Sequence, residues 1–463
     1  MADVDVSRIA LAAERAVESS FARLDRYLTF APISSEPDAP KTVGALAEAL
    51  RADLEKLGLE QARVLALPDA LPCVAAEWTK AGPGAPTVLI YGHFDVQPVK
   101  NEVWTTEPHR VVRKGDRIYG RGSADDMGGW LSHLVAIEAW LAETGGLPCN
   151  LKLLLEGEEE IGSPNLERFM DAYPDAFASD AMVLTDCENP SVDIPGLSVS
   201  LRGLLEVEVT IESAKSDVHS GIWGNLVPDP AMALVTVLAR LVDEDGRLRF
   251  GRRDVDAGWL ERSRDVPLTP DVIRSGARLL DGVAPLPDRS LSPAAWVWRQ
   301  PAVTILSTTF PAPGTEKNAI RKSASAKLSF RIAPGQTSDE LFDLVMKELT
   351  RDVPAGLAVT LAKQPGSASS WDYVAAGPAF EAADRAYEKA WGRAPLRVGL
   401  GGSIPFVALF GRRFATLPLV LNGVIDPDTG AHGPNESMHV GVYTKTVKAN
   451  VHLYAELARA LTK

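Results

Sequence analysis

Leu151-Lys152-Leu153-Leu154-Leu155-Glu156-Gly157-Glu158-Glu159-Glu160-Ile161-Gly162-Ser163 decides how this chain is read. An apolar run that ends in acids and a glycine places those acids at the C-terminal edge of a sheet, where α/β proteins keep their chemistry. Adjacent strand residues point to opposite sides, so Glu159 and Glu160 are expected to diverge, one toward a metal and the other toward substrate. A solvated run of acids at a strand end is the bland alternative for this segment alone.

Working outward, 89–95 is a second apolar run, closing on His93-Phe94-Asp95. Residues i and i+2 share a side of a strand, so Asp95 is placed to reach the ring of His93 from behind and fix its tautomer. A glycine-rich loop, Tyr119 to Asp126, carries Asp125 and Asp126 toward a helix, and the short apolar run 182–185 ends in Asp186. Far downstream, Gly430-Ala431-His432-Gly433-Pro434-Asn435-Glu436 holds a histidine among glycine and proline. Each piece alone is weak. Together they offer His, Asp, Glu, Asp and His from five loops, a nitrogen and oxygen mixture suited to borderline metals; a shared carboxylate lets two ions sit roughly 3.5–4 Å apart.

The motifs HFDVQP, GRGSADD, EGEEEIGS, DVHSGIWG, GGSIP and HGPNE stand in that order. In this the chain resembles the M20 family of metallopeptidases, most of all its dipeptidase and carnosinase-like branch, from about Tyr27 to the C-terminus. The resemblance implies that His93, Asp125 and Asp186 hold one metal and Asp125, Glu160 and His432 the other, with Asp125 bridging. It further implies that Asp95 orients His93 and that Glu159 is the general base and acid. His219 would reach a neighbouring subunit's site and steady the oxyanion. Asn318, Arg331, Gly402 and Ser403 match substrate-contacting positions, and the planar fork of Arg331 suits a free α-carboxylate. The implied cofactor is a pair of divalent ions, zinc first, with manganese or cobalt as alternatives.

Three departures bear on specificity. Met127 stands where relatives have lysine, Arg321 where they have proline, and Leu400 where they often carry an acid before GGSIP. An acid there would suit a substrate's free amine, so Leu400 points to a less polar or N-blocked group. Hydrolysis of N-acyl or N-carbamoyl amino acids therefore competes with the dipeptidase reading. A silent peptide-binding or scaffold relative is the nonenzymatic alternative; it predicts a lost ligand or a lost Glu159, and none is lost.

No Gly-x-Ser-x-Gly elbow is present, so Ser403 reads as a substrate contact. With 463 residues, 46% of them hydrophobic, the chain can build two cores. Cys73, Cys149 and Cys187 lack metal-site spacing and read as free thiols of a reducing, cytoplasmic compartment. The amphipathic N-terminus reads as a helix of the mature fold, and no apolar stretch has the length of a membrane span. A net charge of −13 argues against nucleic acid as a partner.

The expected fold is α/β: a zinc-peptidase-like catalytic domain with a mixed sheet and covering helices, interrupted by a smaller α+β lid. The boundaries are placed at 1–197 and 368–463 for the catalytic domain and 198–367 for the lid, which also serves dimerisation. The strictly alternating stretch 205–211 opens the lid, and 254–288 reads as an irregular excursion of it. The expected partners are a small peptide or amino-acid-derived substrate and a second copy of the chain.

Overall fold

The computed structural model describes residues 4–287, 290–309 and 316–462. Its centre is a nine-stranded mixed sheet. Asn150–Glu156, Thr87–His93, Ala181–Leu184 and Leu419–Leu421 lie side by side and parallel in its middle. Their burial on both faces explains why they read as continuous apolar runs instead of alternating ones. Because they run the same way, the chain leaves His93, Glu156 and Leu184 at one edge.

Helices cover both faces. Val6–Leu28, Met127–Thr144, Pro378–Trp391 and Val440–Leu461 pack together on one side. The first buries Ile9, Ala13, Val17, Phe21, Leu24 and Leu28, one face of a helix at spacings of three and four, and starts where Asp5 accepts hydrogen bonds from the Ser7 and Arg8 amides. Met127–Thr144 is buried nearly all round and stops at Gly145, whose φ of 72° ends the helix in the left-handed region. The opposite face is covered by shorter helices, Leu166–Ala172 and Pro405–Arg413, through Phe169, Phe406 and Phe410.

A second sheet has four antiparallel strands in the order Ala302–Thr308, Ser323–Ile332, Gly203–Glu212, Ala358–Lys363. Gly203–Glu212 buries every other residue, as its sequence alternation predicts, and Pro230–Ala239 and Ser338–Thr350 pack on the covered face. Thr337 and Glu340 close a reciprocal capping box at the start of the latter helix. The strand Gly196–Leu201 still belongs to the large sheet, and Arg202 is the joint between the two.

The stretch 254–288 differs from the irregular excursion its composition predicts. It contains the helices Ala257–Arg264 and Pro270–Gly276, followed by Pro293–Arg299. Trp259, Ala294 and Trp298 pack on Val199 and Val398 of the large sheet. Local periodicity missed this because each helix is short and its apolar partners lie far away in sequence.

Candidate metal centre

Five loops at the edge of the parallel strands converge on one cluster. Asp125 sits at its middle, with Oδ1 3.1 Å from His93 Nε2 and Oδ2 3.1 Å from His432 Nε2. Asp186 Oδ2 lies 4.0 Å from His93 Nε2, and Glu160 Oε2 lies 3.2 Å from His432 Nε2. Two groups of three donors result, His93–Asp125–Asp186 and Asp125–Glu160–His432, each with its ligand atoms within 4.8 Å of one another. One imidazole and two carboxylates per group form a donor set that suits divalent ions such as zinc, and Asp125 belongs to both groups.

The electrostatics say the same. Bonds to Asp125 and Glu160 push the His432 imidazole up to about 11. Burial opposes a charge on Asp125, yet His432 and His93 hold its carboxyl well below the ordinary range. Burial, together with Asp125, pushes Asp186 well up. Desolvated acids packed this closely, Asp125 kept ionised by two imidazoles and Asp186 pushed toward its protonated form, make a cluster that cations would neutralise.

The turn after Glu156 is not the strand continuation that the sequence predicts. The strand stops at Glu156, and Glu159–Ile161 is a single 3₁₀ turn closed by Gly162 at φ 91°. Glu159 and Glu160 therefore diverge by helical rotation and not by strand alternation. Two buried acids shape the turn. Glu158 accepts from the Leu71 and Asn165 amides, and Asp95 accepts from the Glu159 and Glu160 amides at 3.1 and 3.0 Å. Glu160 then points to His432, steadied by Gln97 at 2.7 Å. Glu159 Oε2 lies 3.9 Å from His93 Nε2. Burial, above all, and the neighbouring carboxylates push Glu159 well above the ordinary range, so it can hold a proton as well as release one.

Asp95 differs from its expected role in one respect. The nearest acceptor for His93 Nδ1 is the Asp95 backbone oxygen at 3.1 Å, while the carboxylate, at 3.5 Å, is engaged mainly with the 159–160 turn. One residue thus fixes both the imidazole and the acid turn. Asp126 stays outside both donor groups, its Oδ2 accepting from the His93 amide and the Thr185 hydroxyl. Gly92 makes that approach possible, since a Cβ there would meet both Asp126 Oδ2 and Thr185 Oγ1 at 2.5 Å.

Glu436, quoted in HGPNE but assigned no role by sequence, is fully buried and ties the two ligand loops together. Its carboxylate accepts from the amides of Gly122, Ala124 and Asp125 and from Arg121 Nη1, all at 2.9–3.1 Å. The visible signal was an acid four residues past a ligand histidine, inside a loop too polar for a core. Cys187, like Cys73 and Cys149, is buried and free, with its thiol pushed well up by burial.

The remaining expected site residues lie elsewhere. Arg331 Nη1 donates to Ser403 Oγ at 3.0 Å, next to Gly402. Arg202, which sequence reasoning passed over, stands nearby; burial and the Arg331 charge lower it to about 10. It donates to the carbonyls of Gly401 and Gln300. Two desolvated guanidiniums side by side make a place for an anion. His219 and Asn318 are exposed and adjacent, with the Ser220 amide donating to the Asn318 carbonyl at 3.0 Å. Among the described residues, neither makes a side-chain bond to the cluster. His219 Nδ1 accepts from the Gly221 amide, which leaves the proton on the outward Nε2. Leu400 does not line the cleft. It is 7% exposed and packs in the core with Leu201 and Phe406, where an unpaired carboxylate would cost several kcal/mol.

Residues 89–458 match the model of peptidase family M20/M25/M40. The chain is 32% identical over 428 residues to a cysteinylglycine-S-conjugate dipeptidase of Corynebacterium striatum, covering 91% of each. It is 28% identical to a Cys-Gly metallodipeptidase of Saccharomyces cerevisiae, covering 94% of this chain and 95% of that one. The crystal structure of human carnosine dipeptidase 1 superposes with a TM-score of 0.84 at 23% identity, covering 98% of this chain and 99% of that chain. The chain belongs to peptidase family M20/M25/M40, and the expected likeness to its dipeptidase and carnosinase-like branch is borne out, as is the two-part α/β architecture.

Proposed function

We propose that this member of peptidase family M20/M25/M40 hydrolyses dipeptides, or similar small amides ending in a free carboxylate, with two divalent ions. The observation that carries the reading is Asp125, whose two oxygens are divided between His93 and His432. His93, Asp125 and Asp186 would hold one ion, and Asp125, Glu160 and His432 the other. When bound, such ions polarise a scissile carbonyl and bring water toward ionisation at neutral pH. Zinc fits the donors best, with manganese or cobalt as alternatives.

The chain's own groups then divide the work. Glu159 takes the proton of the attacking water and returns it to the leaving amine, a task that its raised affinity for protons favours. Asp95 holds the turn that aims Glu159 and the ring of His93. Arg331 and Ser403 receive the substrate carboxylate, with Gly402 leaving the loop open to it. Asn318 contacts substrate from beside the two-stranded ribbon of Val218–His219 and Ala319–Ile320.

His219 acts in trans within a homodimer, donating its Nε2 proton to the oxyanion. In support, the edge strand Ala302–Thr308 exposes Ile305 and Leu306, and the helix Pro230–Ala239 exposes Met232 and Val235. Among the described residues these are an exposed edge strand and an exposed apolar helix face, each the kind of surface that proteins cover with a partner. The buried free thiols suit a cytoplasmic enzyme, and no helix among the described residues is long and apolar enough to cross a membrane.

The competing reading, an N-acyl or N-carbamoyl amino acid hydrolase, rested on Leu400, which faces the core and so says nothing about the substrate's amine. The test is hydrolysis of free dipeptides beside their N-acetylated forms by metal-loaded protein, with a chelated control. Preference for free dipeptides is expected. Preference for blocked ones would move the protein to the acylamino-acid hydrolases, and absence of metal-dependent turnover on either would end the enzyme reading.

A further inference from the structure

A cavity of about 450 Å³ opens beside the metal centre, between the His432 loop and the helices of the 254–299 segment. Its wall is largely apolar, with Val266, Leu268, Ile273, Val297 and Trp298 facing Val398. Four polar side chains join them, and three are committed elsewhere. Asn189 binds the carbonyls of Gly423 and Ile425, Asp426 pairs with Arg117 through two bonds, and Thr429 accepts from the Asp426 amide. The fourth, Glu188, is exposed and forms no side-chain hydrogen bond or ion pair among the described residues.

Glu188 follows two residues after Asp186 on the chain leaving the strand Ala181–Leu184, and its backbone bridges to Ile425. It shares the cavity lining with Gly430 and Ala431, the two residues before His432, which puts it on the metal-centre side of the cavity. An unpaired carboxylate at the mouth of an apolar cavity, next to a hydrolytic centre, fits a molecule carrying an ammonium and an apolar side chain on one carbon.

We propose that Glu188 and the cavity behind it form the subsite for the substrate's free α-amine and its first side chain, selecting apolar N-terminal residues. This rests on the dipeptidase reading above and deepens it. It also answers the missing acid at 400, because the negative charge is supplied from a different strand end. The glycines before Ser403 serve the same wall. A Cβ on Gly399 would lie 2.7 Å from Trp298 Cβ, and one on Gly401 2.4 Å from Val297 Cγ1. Only glycine lets the helix Pro293–Arg299 lie against the strand Leu396–Leu400 and close the cavity. Arg331 and Ser403 receive the carboxylate beyond the same glycine run, so a dipeptide would be held at both charged ends.

The test uses metal-loaded protein, with Leu-Gly, Gly-Gly and N-acetyl-Leu-Gly as substrates and leucinamide as a binding probe followed by calorimetry. Glu188→Gln should raise KM for both free dipeptides by about tenfold with kcat little changed, since one charge-assisted bond is lost. It should weaken leucinamide binding by a similar factor and leave the acetylated compound unaffected. Ile273→Trp, which fills the cavity, should lower the Leu-Gly to Gly-Gly ratio of kcat/KM by about tenfold. Unchanged KM and leucinamide binding in Glu188→Gln would overturn the subsite while leaving the dipeptidase reading intact. Glu188-dependent leucinamide binding without hydrolysis of any of these substrates would overturn the dipeptidase reading and leave the subsite standing.

Discussion

Two regions of the molecule carry their site residues in opposite states. On the large sheet, His93, Asp95, Asp125 and Glu436 are buried and bonded to one another, so the metal-binding half is assembled within one chain. On and beside the separate two-stranded ribbon of Val218–His219 and Ala319–Ile320, His219 and Asn318 stand exposed with no side-chain bond to that cluster among the described residues. Arg331 joins the halves through Ser403, and Arg202 does so through the Gly401 carbonyl. Under the proposed function, the difference means that ion binding and proton transfer would be built into one chain, whereas oxyanion stabilisation would wait for a second chain.

If this division is right, the largest effect belongs to the buried half. Glu159→Gln should lower kcat by about 10⁴, the upper range for loss of a general base, while metal analysis still finds two ions per chain. Loss of an ion together with activity would instead make Glu159 part of the metal site and blur the division. On the exposed side, His219→Ala should cost about 10²–10³ in kcat, the range for removing one oxyanion donor, with metal content unchanged and melting temperature little changed, because the exposed ring gives up one local bond, to the Gly221 amide. A drop in melting temperature would show that His219 belongs to the fold. The smallest effect should come from Glu436→Gln. It leaves every ligand in place but removes the charge that Arg121 and three loop amides share, so metal affinity should fall by about 10–100-fold in a chelator titration. Unchanged affinity would mean that the Asp125 loop holds its shape without Glu436.

The same contrast explains what the sequence made legible. His93 and Asp186 end or follow short apolar strands, and the end of a strand's periodicity is visible locally. The alternation of 205–211 likewise announced a strand with one wet face. The 3₁₀ turn at 159–161 was not legible, because its shape is imposed by Asp95 and Glu158 accepting backbone amides, and no period in the sequence records that. Glu436 was hidden for the same reason, as its partners lie more than three hundred residues away. Leu400 misled because its position in a motif implied a direction, whereas strand alternation turned it into the core between Gly399 and Gly401. The helices of 257–299 escaped notice because their burial depends on Val199 and Val398, which no local pattern links to them.

The claim that the two regions complete each other between chains is tested most directly by mixing the inactive Glu159→Gln and His219→Ala proteins under conditions of subunit exchange. In a mixed dimer, one site combines an intact Glu159 with the partner's intact histidine. With random pairing in a two-fold dimer, activity on a free dipeptide should return to about one quarter of the wild-type value. No recovery, with exchange established by a mass or affinity label, would contradict the shared site and return the oxyanion donor to the same chain.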